Sequence, residues 1–167
     1  MSAAHQHAGE EPAWVHGHPH EPNPAPPRGD GAITFVLPDG SEERLPVDFL
    51  RSLPYTTVAD CYIVSTGHGT SGPFIFGGVT LRELLAALLP AGLEWRYVDV
   101  ISGDGFGVRL QPEEVQAAPA GRPVLLACTL DGATLTRRAG LVRLIVPSEI
   151  DDALKQVKWI ERIVVVA

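Results

Sequence analysis

Residues 32–37 read Ala-Ile-Thr-Phe-Val-Leu, a run of β-formers that predicts a strand. Pro38-Asp39-Gly40-Ser41 follows as a turn, in which proline presets the bend and glycine takes the positive φ. Residues 42–45 return as the second strand of a hairpin. Residues 46–53 predict a short helix, with Pro46 near its first turn and Pro54 ending it. Residues 55–64 predict another strand, which carries Cys61. Gly67, Gly69, Gly72, Gly77 and Gly78 then predict a glycine-rich loop. After it Leu81, Leu84, Leu85, Leu88 and Leu89 recur at helical spacing. Thr80 and Glu83 supply a capping box at the helix start, and Pro90 and Gly92 stop it.

Residues 95–101 alternate as a strand, Ser102-Gly103-Asp104-Gly105 turns, and residues 106–110 return as a second hairpin. Pro112 opens a brief helix with Glu113, Glu114 and Val115, and residues 117–123 form a loop. Residues 124–130 are nearly all apolar and predict a central strand, followed by an Asp131-Gly132 turn. Residues 141–146 predict a strand ended by Pro147, residues 148–155 a polar helical turn, and residues 159–166 the last strand. Strands joined by hairpins and short helices, rather than by regular βαβ units, predict an α+β fold and argue against a doubly wound one. Residues 1–31 lack this patterning and are rich in His, Pro, Ala and Gly, so they predict a disordered tail ahead of one domain at 32–167. Within the tail, His16-Gly-His18-Pro-His20 offers neutral imidazoles that can converge on Cu or Ni, although such segments are more often plain solvated linkers.

The 167-residue chain is long enough for one sizeable core. A formal net charge of −7 argues against a broad basic surface for nucleic acid. No apolar run approaches the roughly 20 residues of a membrane span. Cys61 and Cys128 do not make a disulfide framework, and no basic-then-apolar leader opens the chain, so a cytoplasmic location is the expectation. The candidate chemistry lies where a strand end, a glycine-rich segment and a helix N-terminus meet, an arrangement suited to an anion or cofactor. Cys61 in that strand reads in three ways: a small buried hydrophobe, a metal ligand, or a nucleophile with His68 as base. The last needs a group to orient His68.

From Leu45 onward the order of motifs resembles the molybdopterin-binding domain of the sulfite oxidase superfamily. Gly78-Val79-Thr80-Leu81 with Leu84 and Leu85 is similar to that family's G-v-p-L-x-x-L-L step. Ser102-Gly103-Asp104-Gly105-Phe106 is similar to its S-x-D-G-Y hairpin, and Leu125-Leu126-Ala127 through Asp131-Gly132 and Leu135 to its L-L-A…n-G-x-x-L. Residues 141–147 and 157–163 are similar to p-l-R-l-v-v-P and v-K-W-l-x-r-I. The resemblance implies layered sheets with short helices and a molybdenum ion held by a pterin dithiolene and one cysteine, whose place Cys61 occupies. It makes Arg143 and Lys158 candidates for an anionic pterin phosphate or substrate, with His68 and Arg109 beside the same pocket, and leaves Cys128 as core. The chain departs from sulfite oxidases after Cys61, where Tyr-Ile-Val-Ser-Thr-Gly-His replaces an Arg-rich segment, and after Pro147, where Glu149, Asp151 and Asp152 stand. The function implied is a small molybdopterin-dependent oxidoreductase acting on a small molecule or a redox partner protein. The alternative is a cofactor-free binding module on the same scaffold, taking another anion or a partner protein.

Overall fold

A computed structural model of the chain describes residues 29–65, 69–117, 122–147 and 156–167. The His-rich tail up to residue 28, His68 and the polar turn at 148–155 lie outside the described residues.

Among the described residues, two sheets and three short helices make up the domain. The first hairpin pairs β1 (Ile33–Val36) with β2 (Glu42–Leu45), and α1 (Val47–Ser52) follows. A long ribbon pairs β3 (Thr56–Ser65) with β4 (Gly69–Thr80) and runs directly into α2 (Leu81–Leu88). The second hairpin joins β5 (Tyr97–Ser102) to β6 (Gly107–Leu110), ahead of α3 (Pro112–Gln116). The chain closes with β7 (Leu125–Leu130), the two-residue β8 (Ala133–Thr134), β9 (Arg143–Ile145) and β10 (Ile160–Val166). One sheet has the order β2-β1-β10-β5-β6, with β1 and β10 parallel. The other has the order β3-β4-β7-β8, and β9 also pairs with β7.

The main core lies between the sheets and takes Ile33, Phe35, Val98, Val100, Ile163 and Val165 from one of them. The other sheet contributes Leu126, Cys128 and Leu144, and α2 adds Leu81, Leu84 and Leu85. A second, smaller core of Val58, Cys61, Phe76, Leu125, Ala127, Leu135 and Ile145 packs apart from it. Strand β7 feeds both: Leu126 and Cys128 belong to one core, Leu125 and Ala127 to the other. A strand covered on both faces loses polar alternation, which is why its sequence is a continuous apolar run.

One expectation is overturned. The glycine-rich segment is not a loop: from Gly69 onward it is strand β4. Its glycines are demanded by neighbours across the sheet. A Cβ at Gly78 would stand 2.0 Å from the Leu126 carbonyl oxygen, and one at Gly77 would stand 1.9 Å from the Tyr55 hydroxyl. The Tyr55 hydroxyl lies over Gly77 to meet the Thr129 hydroxyl at 2.6 Å. Pro73 is tolerated because β7 pairs only with Phe76–Thr80, leaving that end of β4 with no ladder on its second edge. The N-terminus of α2 is also occupied from within: Thr80 Oγ1 accepts from the Glu83 amide at 3.1 Å and the Val124 carbonyl from the Leu81 amide at 2.9 Å.

Candidate functional site

Cys61 stands at the centre of the β3/β4 ribbon, where the ladder is irregular on both sides. From Val58 to Cys61 the chain advances three residues while β4 advances two, from Phe76 to Phe74. From Cys61 to Ile63 the imbalance reverses, and β4 spends three residues reaching Ser71. Asp60 takes φ 54°, a left-handed conformation uncommon for a residue with a side chain. Gly72 lies against the bulge so closely that a Cβ there would stand 2.7 Å from the Cys61 carbonyl oxygen.

The Cys61 side chain is buried, 3% exposed, within the second core. Its Sγ lies 3.5 Å from the Val58 carbonyl oxygen and 3.7 Å from that of Ala59. Burial raises the thiol's pKa above its ordinary value, and the nearby Arg122 guanidinium opposes that shift. Arg122 Nη2 is 3.8 Å from Sγ. The same guanidinium donates from Nη1 to the Ala59 carbonyl at 2.9 Å, from Nη2 to the Asp60 carbonyl at 2.9 Å and from Nε to the Pro147 carbonyl at 3.3 Å. Reading the sequence did not single out Arg122. It is one basic residue in a Gly-Pro loop, and its partners sit about sixty positions earlier, so no local pattern marks it.

Arg143 begins β9, and its guanidinium carbon lies 5.6 Å from the centroid of Phe76, a neighbour of Cys61 in the second core. It is 5% exposed, and its Nε has no hydrogen-bond partner among the described residues. Burial pulls its pKa down to about 10. Lys158 joins it over Gly140, where a Cβ would meet Arg143 Cγ at 2.9 Å and Lys158 Cβ at 3.3 Å. Gly140 also sits at φ 114°, so both space and backbone demand glycine there. Burial and the Arg143 charge lower the Lys158 pKa, and the Lys158 ammonium lies 5.9 Å from the Trp159 ring centroid. Trp159 itself takes φ 51° and donates its indole N–H to the Arg137 carbonyl.

The expected site residues therefore divide. Cys61 belongs to the second core, Arg143 lies over its Phe76, and Lys158 meets Arg143 over Gly140. Arg109 is not with them. It lies on β6 in the other sheet, forked onto Asp99 at 2.8 and 3.0 Å, with its guanidinium carbon 3.8 Å from the Tyr97 ring centroid. His68 lies outside the described residues. Cys128 is buried in the main core, as the sequence implies. Among the described residues no three His, Cys, Asp or Glu side chains converge as a metal cluster, and no helix is long and apolar enough to cross a membrane.

The two-sheet α+β domain thus sets a buried thiol and a buried guanidinium, whose Nε has no partner among the described residues, beside one small core. The family model described as the oxidoreductase molybdopterin binding domain matches residues 45–167, and the chain belongs to that family. Among solved structures the fold is similar to the sulfane dehydrogenase SoxCD from Paracoccus pantotrophus, with a TM-score of 0.62 and 20% sequence identity. That similarity covers 81% of this chain and 38% of the SoxCD chain, so the chain spans well under half of that neighbour's length. No curated protein matches the sequence.

Proposed function

We propose that the chain is a molybdopterin-dependent oxidoreductase domain in which Cys61 provides the thiolate for molybdenum and Arg143 with Lys158 anchors the anionic end of the pterin. The observation that carries this reading is Arg143. A guanidinium 5% exposed, with Nε lacking any partner among the described residues, is a buried charge that no described carboxylate neutralises. Such a charge costs several kcal/mol unless an anion reaches it. A phosphate would supply both the counter-charge and the acceptor.

The residues present fit the group. A cysteine thiolate is the soft donor a thiophilic metal takes, and it must be deprotonated to bind. Burial holds the Cys61 proton on, while Arg122 beside Sγ favours its loss. When bound, the cofactor supplies the redox chemistry, and the protein's part is binding and positioning. The second core keeps water from the thiol, and Arg143 and Lys158 hold charge at its rim. The electron acceptor or donor on this reading is a small molecule or a redox partner protein.

A second reading, a cofactor-free module on the same scaffold, is favoured by the apolar surroundings of Cys61 and by the raised pKa of its thiol. One experiment separates the two. Protein made in a host that synthesises the cofactor is analysed for molybdenum and for released pterin by fluorescence. The proposal expects both near one per chain in the wild type, with molybdenum lost in Cys61→Ser and pterin depleted in Arg143→Met. Folded wild-type protein free of both leaves the binding module standing.

A further inference from the structure

We propose that Arg122 is the positioning residue that turns Cys61 into the second core, by clamping the extra residue of the β3 bulge. The role rests on Cys61 being the metal's thiolate, whereas the effect of Arg122 on where the side chain points does not. Val58 is buried, and strict alternation from it would place Cys61 on the opposite, outward face. Three residues of β3 against two of β4 cancel that alternation and bring Cys61 back to the side of Val58 and Phe76. Ala59 and Asp60 are left without ladder partners on β4. Their carbonyls are the two that the Arg122 guanidinium takes, each at 2.9 Å. The third bond of the fork, to Pro147, ties the bulge to the segment that follows β9. One planar group therefore holds the conformation that Asp60 pays for with its left-handed φ of 54°. A lysine ammonium carries the same charge but cannot reproduce a rigid fork aimed at three carbonyls.

The test is alkylation of the full-length chain with iodoacetamide, followed at each cysteine by mass spectrometry. Cys128 is the internal reference, since it is buried in the other core. In Arg122→Ala and in Arg122→Lys, Cys61 is expected to react roughly tenfold faster or more while Cys128 stays protected. A selective rise in Arg122→Lys assigns the effect to the fork rather than to charge. Deleting Asp60 leaves two residues of β3 against two of β4, so alternation alone keeps Cys61 on the side of Val58, and in that background Arg122→Ala is expected to leave Cys61 protected. Unchanged Cys61 reactivity in the single Arg122 variants overturns the proposal, as does a parallel rise at both cysteines, which would mean general loosening. Wild-type protein lacking molybdenum and pterin, together with selective exposure in the variants, removes the cofactor reading and leaves the orienting effect of Arg122 intact.

Discussion

The guanidinium of Arg143 lies over the ring of Phe76, 5.6 Å from its centroid, and that ring packs in the same small core as the thiol of Cys61. An aromatic face gives a cation partial compensation but not a counter-ion. With no carboxylate partner among the described residues, the charge is a cost in the free protein and an asset when an anion binds.

Arg143→Met tests both sides of that balance. Replacing an uncompensated buried charge by an apolar chain of similar length should leave stability equal or raise it by about 1–3 kcal/mol. For a domain of this size each kcal/mol corresponds to about 2–4 °C in Tm. Millimolar inorganic phosphate or pyrophosphate should raise the Tm of the wild type and not that of the variant. A variant that loses stability and still responds to phosphate would place the anion elsewhere.

The glycines of β4 should rank by what stands over them. The space above Gly77 is filled by the tip of the exposed Tyr55 side chain and by Thr129, whereas above Gly78 it is filled by the backbone of Leu126 and Ala127. Side chains can move aside, but a paired strand cannot. Gly77→Ala should cost about 1–3 kcal/mol, as overpacking does, and should be partly relieved by Tyr55→Ala. Gly78→Ala should cost more and gain nothing from the same second change. Denaturant unfolding of the two single and two double variants decides it, and equal losses at the two glycines would contradict the contact geometry.

Alkaline pH should weaken the fold through Cys128. Burial in the main core raises its thiol pKa above the ordinary value of 9.0, with Arg51 acting weakly against that shift. A raised folded pKa means that the folded state holds its proton where the unfolded state has released it. The contribution is fully present below the unfolded pKa and is lost as pH climbs from there through the higher folded value. Cys128→Ala should therefore start less stable, through lost packing, yet lose less on going from about pH 8 to about pH 10. Some slope should persist, because the Cys61 thiol is shifted the same way. Parallel pH profiles from urea unfolding would rule the thiol out as the cause.

What the sequence made legible is what neighbours along the chain decide. The Thr80 cap, the Pro38–Ser41 and Ser102–Gly105 turns and the doubly buried β7 each follow from a few adjacent residues. The glycines at 77 and 78 misled for the same reason: along the chain glycine signals a break, and only the strands on either side show that the missing Cβ is needed there. Register was equally hidden. Nothing in Val58-Ala59-Asp60-Cys61 announces an extra residue, because the bulge is held by Arg122 from across the fold. Cys61, Arg143 and Lys158 could be nominated by type and order, but that Cys61 and Arg143 share a sheet which Arg109 does not join is written in no local pattern.

The side chains around the bulge also have an effect outward from the thiol. Strand β3 is the last of its sheet among the described strands, and an edge with free carbonyls is a template for another chain. Here the Ala59 and Asp60 carbonyls accept from Arg122 and the Tyr62 carbonyl accepts from Gln156 at 3.0 Å. A strand arriving at that edge would find its hydrogen bonds already taken and its path kinked at Asp60. Loss of Arg122 would thus open the sheet to strand-by-strand aggregation, a hazard separate from anything that happens to the thiol.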